Sequence, residues 1–173
     1  MDRSKKRDTI EKIAVIVRKV LDIATPINLE CAIQKLGGKL TEDASLDCDA
    51  IITVHKNTSA FEISYNPSIT ETRKRFSIAH EIGHMLLHAP KTEEGLFACD
   101  GVFYRDSSRE YASPEQEWES NEFAAAMLMP RKEFVDFCYG NAVDGGIEVR
   151  AVADNFNVSM QAADVRGSSL NLW

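Results

Sequence analysis

The sequence predicts an α+β fold: helices packed on a short three-stranded sheet, with a His-Glu-x-x-His segment on a central helix. Three observations predict it. Apolar residues recur at helical spacing at both ends of the chain. The period changes between residues 39 and 66, where two β-rich runs are joined by a turn. The 173 residues are enough for one compact domain with its own core. Along the chain we expect N-terminal helices over 1–38, a small sheet over 39–66, two site helices with an intervening loop over 70–130, and C-terminal helices over 131–173.

Each element has a local reason. Ile10, Ile13, Ala14, Val17, Val20 and Ala24 lie at helical spacing, so residues 5–24 form an amphipathic helix that Pro26 ends. A shorter helix over 27–36 groups Leu29, Ile33 and Leu36 and stops at Gly37-Gly38. Residues 49–55 and 60–65 are the two β-rich runs, joined at Lys56–Ser59, and residues 39–42 add an edge strand. Ser68 or Thr70 caps a helix over 70–88, whose apolar positions cover most of its circumference. Residues 89–113 form a long loop, and loops of that length are usually functional. Ser113-Pro114 opens a helix running to Met129, with glutamates in its first turn. Shorter helices follow at 131–139, 147–155 and 159–167.

Composition excludes several classes. The hydrophobic and charged shares, 44% and 27%, are ordinary for a soluble globular chain, and no apolar run is long enough to span a bilayer. The N-terminus reads as an amphipathic helix and not as a signal peptide. Cys31, Cys48, Cys99 and Cys138 are scattered and form no CxxC pair, so they read as reduced side chains in a cytoplasmic protein. A net charge of −7 disfavours nucleic-acid binding. The charge is uneven: residues 91–122 carry three cationic side chains against nine acidic ones. The basic cluster Arg3–Arg7 reads as a charged, solvated tail.

The chemistry centres on His80-Glu81-Ile82-Gly83-His84. Residues four apart on a helix share a face, so both imidazoles can reach one tetrahedral Zn²⁺. Glu81, beside the first ligand, can accept the proton of a water that the metal acidifies. Gly83 keeps that turn small where another element must pack closely. A catalytic zinc needs a third protein ligand. Glu117 and Asn121 on the next helix are four apart. Glu117 can be the ligand, and Asn121 can orient a ligating histidine through a hydrogen bond. Glu122 is the weaker substitute for Glu117, and Glu119 is expected to be solvated. His88 lies a further turn beyond His84, about 12 Å from His80, too far to share the ion. It reads as a structural or hydrogen-bonded histidine. His55 has no partner by spacing.

The segments RFSIAHEIGHMLLH at 75–88 and EWESNEFAAAMLMP at 117–130 together resemble the ImmA/IrrE family of metallo-endopeptidases. The helix from Pro26 to Gly38, the ISYNP strand end and the ADNFNVSMQAADVRGSSL segment extend the resemblance to nearly the whole chain. It implies a minimal gluzincin-like α+β unit with metal ligands at His80, His84 and Glu117 and the catalytic glutamate at Glu81. It also implies cleavage of a helix-turn-helix transcriptional repressor as protein partner. Ser120 departs from the alanine usual in the family, a conservative change.

The reading is therefore a zinc-dependent endopeptidase that hydrolyses a bond in a specific protein. The alternative is a non-proteolytic zinc-containing regulator that binds and sequesters a partner; the Glu81 carboxylate argues against it, since a structural zinc site has no use for one. A helix-turn-helix DNA binder is a third class. Residues 149–170 have that look, but Ser159–Arg166 offers one arginine and one aspartate, a poor complement to phosphate. Tyr104, Arg105 and Tyr111 are candidate oxyanion donors. The acidic loop and helix suggest a basic substrate segment.

Overall fold

The computed structural model describes residues 2–103, 112–142 and 146–173. Seven helices and four strands occur among them: α1 Arg3–Val20, α2 Leu29–Lys35, β1 Gly38–Glu42, β2 Ala50–Val54, β3 Phe61–Tyr65, α3 Glu71–Leu87, β4 Gly101–Phe103, α4 Pro114–Leu128, α5 Arg131–Gly140, α6 Val149–Phe156 and α7 Met160–Ser169. The α+β class and the three predicted strands are present. The sheet gains a fourth, and its order is β1-β3-β2-β4. β2 and β3 form the expected antiparallel hairpin, Ile52 facing Ile63. β1 lies at the edge, parallel to β3. β4 pairs antiparallel with β2, so the segment 89–113 is not wholly a loop. It also carries a bridge between Lys91 and Phe97. Three residues of strand with glycine at their head were too short to declare a period.

Local chemistry explains the helix ends. Thr70, not Ser68, caps α3 by accepting from Arg73 N. Ser113 caps α4 in a capping box with Gln116, and Pro114 follows at the first helical position. Asn157 adopts the left-handed conformation that ends α6. α1 ends at Val20, well before Pro26, because Leu21 caps it and Asp22 turns the chain at φ 49°. Ala24 therefore lies outside the helix. Val20 is 76% exposed and not a core position.

The apolar core joins one face of the sheet to α3 and α4 through Ile52, Ile63, Ile78, Ile82, Phe123 and Met127. Phe123, Ala124, Met127 and Leu128 are buried as their spacing predicts. The unexpected interior groups are charged: Glu11, Arg18, Arg75 and Arg166. Each is paired with groups remote in sequence. Arg18 Nη1 donates to the Met127 carbonyl at 2.8 Å. Arg75 donates to the carbonyls of Ile27 and Asn157 at 2.8 and 2.9 Å. Arg166 donates from Nε to the Met129 carbonyl at 3.1 Å and from Nη2 to Glu11 Oε2 at 2.6 Å. The other Glu11 oxygen accepts from Arg131 N at 2.8 Å. These bonds tie the first and last helices to the C-terminal end of α4.

The basic N-terminal cluster is not a solvated tail. It lies on α1 against α4, where Lys6 meets Glu115 and Glu119 at 2.8 and 2.7 Å. Arg7 makes a two-pronged contact with Glu122, both bonds 2.8 Å. The acidic face of α4 is thus largely neutralised within the chain, which removes most of the case for a basic substrate segment drawn to that helix. No described helix is long and apolar enough to cross a membrane.

Candidate metal centre

α3 and α4 run antiparallel, and Gly83 sets their separation. A Cβ at Gly83 would sit 3.2 Å from both Cα and the carbonyl oxygen of Ser120, so a larger residue would wedge the helices apart. At this close approach the side chains on either side of Gly83 meet those of α4. His84 Nε2 lies 2.9 Å from His80 Nε2 and 3.2 Å from Glu117 Oε1. His80 Nε2 is 3.5 Å from Glu117 Oε2. Donor atoms of all three residues fall within 4.8 Å of one another.

That donor set fits a metal ion. Ligands held tetrahedrally at 2.0–2.1 Å from one centre stand about 3.3 Å from each other, the middle of the range found here. Without a cation or shared protons, three electron-rich atoms so close would repel. Among the described residues this is the one such group of three or more metal-ligating side chains.

The neighbouring residues set the protonation of the rings. His80 Nδ1 lies 3.0 Å from Asn121 Oδ1. Donation of the Nδ1 proton to that oxygen leaves the Nε2 lone pair facing His84 and Glu117. His84 stacks edge-on against His80, at 4.6 Å between ring centres, and tilts over His88 at 5.5 Å. Its pKa is pushed down to about 4, first by burial and then by the neighbouring His80, with Glu117 opposing. The ring is therefore neutral at pH 7, as a metal ligand must be.

A prediction follows for the metal-free protein. The unfolded chain takes up a proton at the ordinary histidine value of 6.5, the folded His84 only near 4. The stability this contributes is complete above 6.5 and is lost as pH falls toward 4. The full loss is about 3 kcal/mol. Urea midpoints measured in chelator should begin to fall near pH 6.5, above the range where carboxylates titrate. A midpoint constant from pH 7 to 5 would show that His84 is not held neutral.

His88 does not join the group. Its Nε2 lies 3.3 Å from the Gln116 carbonyl and 3.7 Å from Glu119, and burial lowers its pKa. Glu119 is half-buried between His88 and Lys6 rather than solvated. Glu122 is engaged by Arg7, which removes it as a substitute for Glu117. Tyr104, Arg105 and Tyr111 lie outside the described residues.

The three donors open onto a cleft of about 1500 Å³, lined also by Glu81, Asn121, Ser77 and Cys48 and extending along the seam of α3 and α4 to α7. That volume exceeds the ordinary range for small-molecule pockets. Glu81 itself is buried. The sequence suggests packing or substrate docking for the segment that holds α7, but no local pattern tells that this helix closes the cleft.

The sequence matches the family model of the M78 peptidases, described as the IrrE N-terminal-like domain, over residues 49–168. The chain belongs to that family. This M78 domain is a metallopeptidase-like unit, and its matched span holds His80, Glu81, His84, Glu117 and Asn121. Its fold is similar to that of a Mycobacterium tuberculosis transcriptional regulator, with TM-score 0.61 and 18% identity over 97% of this chain. The M78 chain spans about half of that structure, 52%. No curated protein matches it.

Proposed function

We propose that the chain is a zinc-dependent endopeptidase acting on a specific protein, with His80, His84 and Glu117 as metal ligands and Glu81 as general base. The observation that carries this reading is the convergence of His80, His84 and Glu117 in a cleft that Glu81 also lines. When bound, the metal supplies a Lewis acid that polarises the scissile carbonyl and acidifies a water. The Glu81 carboxylate takes that water's proton and returns it to the leaving amine. Asn121 holds the His80 ring in the tautomer and orientation that ligation needs. The cleft along the seam of α3 and α4, about 1500 Å³, is large enough for an extended chain, which favours a peptide over a small molecule.

The partner in this reading is a helix-turn-helix repressor, met in the cytoplasm. The mycobacterial regulator of similar fold agrees with a regulatory setting. Direct contact with nucleic acid is not part of it. Arg166, the arginine of the would-be recognition helix Ser159–Arg166, is buried with its charge already paired to Glu11, so it offers no free cation to a phosphate at the surface. The alternative, sequestration without cleavage, differs at Glu81, whose carboxylate it does not need.

The first test is metal content. Purified wild type should hold one zinc per chain and Glu117→Ala none at stoichiometric level, because two histidines alone leave the ion with half its tetrahedral set. Zinc retained in the variant would move the third ligand elsewhere; no zinc in either protein after loading would sink the reading.

A further inference from the structure

The cleft continues past the metal group, and its far end has a different chemistry. His80 stands opposite Asn121 and His84 opposite Glu117, so the antiparallel seam carries Phe76 of α3 alongside Ala125 and Met129 of α4. α7 closes this end with Ala162 and Val165. From His80 back to Phe76 and Arg73 is about 6–10 Å along the helix axis. An extended peptide covers that distance in about two to three residues. Phe76, Ala125, Met129, Ala162 and Val165 give this end an apolar stripe, flanked by Ser159, Gln161 and Ser169, and Val165 is 61% exposed.

A second observation lies at the same end. Arg166 lines the groove, is only 1% exposed, and spends Nε on Met129 and Nη2 on Glu11. Its Nη1 is buried without a hydrogen-bond partner. Buried donors normally find an acceptor. Because Glu11 already cancels the charge, the fitting acceptor is neutral, such as a main-chain carbonyl oxygen. An apolar groove with an unmet neutral-acceptor demand suits a polypeptide bearing an aliphatic side chain, and suits neither a phosphate nor an acidic peptide.

We propose that the α4–α7 end of the cleft is an anchoring subsite for an aliphatic side chain of the polypeptide, two to three residues from the scissile bond. Arg166 is a positioning residue that meets the adjoining carbonyl. The inference rests on the peptidase reading for its scissile bond, yet the groove itself can be tested without turnover.

The probe is an array of decapeptides of random sequence, incubated with zinc-loaded Glu81→Gln protein. Peptides held by the protein should be enriched in Leu, Ile, Met or Val at one fixed position. Ala162→Trp, which fills the groove, and Val165→Asp, which charges its wall, should each weaken those peptides about tenfold or more. Zinc content and thermal midpoint should stay unchanged in both. An enrichment without an aliphatic position, affinities that ignore both substitutions, or no peptide held at all would each overturn the subsite. Anchored peptides that the wild-type, zinc-loaded protein leaves uncut would leave the subsite standing and count against the peptidase reading instead.

Discussion

Glu81→Gln should keep its zinc and lose peptide hydrolysis by about 10²–10⁴-fold, the span general acid–base catalysis supplies. The amide matches the carboxylate in size and still offers an oxygen, so the buried position stays filled. It cannot hold the proton that must pass from water to the leaving amine. Zinc is retained because the donor group is built from His80, His84 and Glu117, with Glu81 outside it. Two measurements on one preparation decide the matter: zinc by atomic absorption, and cleavage of the partner by mass spectrometry. Turnover near the wild-type rate would assign the base to another residue. A variant that still relieves repression in cells, with its partner uncut, would identify a sequestering regulator.

Arg166→Ala should destabilise the domain by about 3–5 kcal/mol, as measured when one partner of a buried ion pair is removed. The size of the effect follows from what the arginine leaves behind. Glu11 would lose its 2.6 Å partner while remaining almost wholly buried. The Met129 carbonyl at the end of α4 would lose its donor as well. Against a total stability of about 5–15 kcal/mol, this is a large fraction. Urea unfolding of the metal-loaded protein measures it. The double variant Glu11→Leu/Arg166→Met should recover most of the loss, because an apolar pair of similar volume removes the uncompensated charge. A single-variant loss under about 1 kcal/mol would mean that the pair is dispensable.

What was legible in the sequence was legible for local reasons. The four-residue step from His80 to His84 fixes a shared helical face whatever surrounds it, and the same is true of Glu117 and Asn121. Capping residues mark where α3 and α4 begin because their side chains bond amides three residues on. Period alone therefore delivered the helices, the hairpin and the pair of side chains that share a face on each site helix.

Errors arose where a residue's partner lies far along the chain. Lys6 and Arg7 read as a solvated tail because Glu119 and Glu122 are more than a hundred positions away. Val20 fits the apolar stripe of α1 by spacing, but the helix ends there and nothing packs over it. β4 is defined by its pairing with β2 and not by any pattern of its own.

The sequence by itself determined the chemistry: two imidazoles, a neighbouring carboxylate and a second carboxylate on a separate helix. Tertiary structure alone decided that Glu117 and not Glu122 meets the histidines, since Arg7 occupies Glu122. It also decided that Arg166 is an interior strut rather than a surface cation, and that α7 walls the cleft. The physical reason is common to all three. Helical periodicity sets which face a side chain shares, whereas its partner depends on how two faces dock, and that is settled by packing across the whole core.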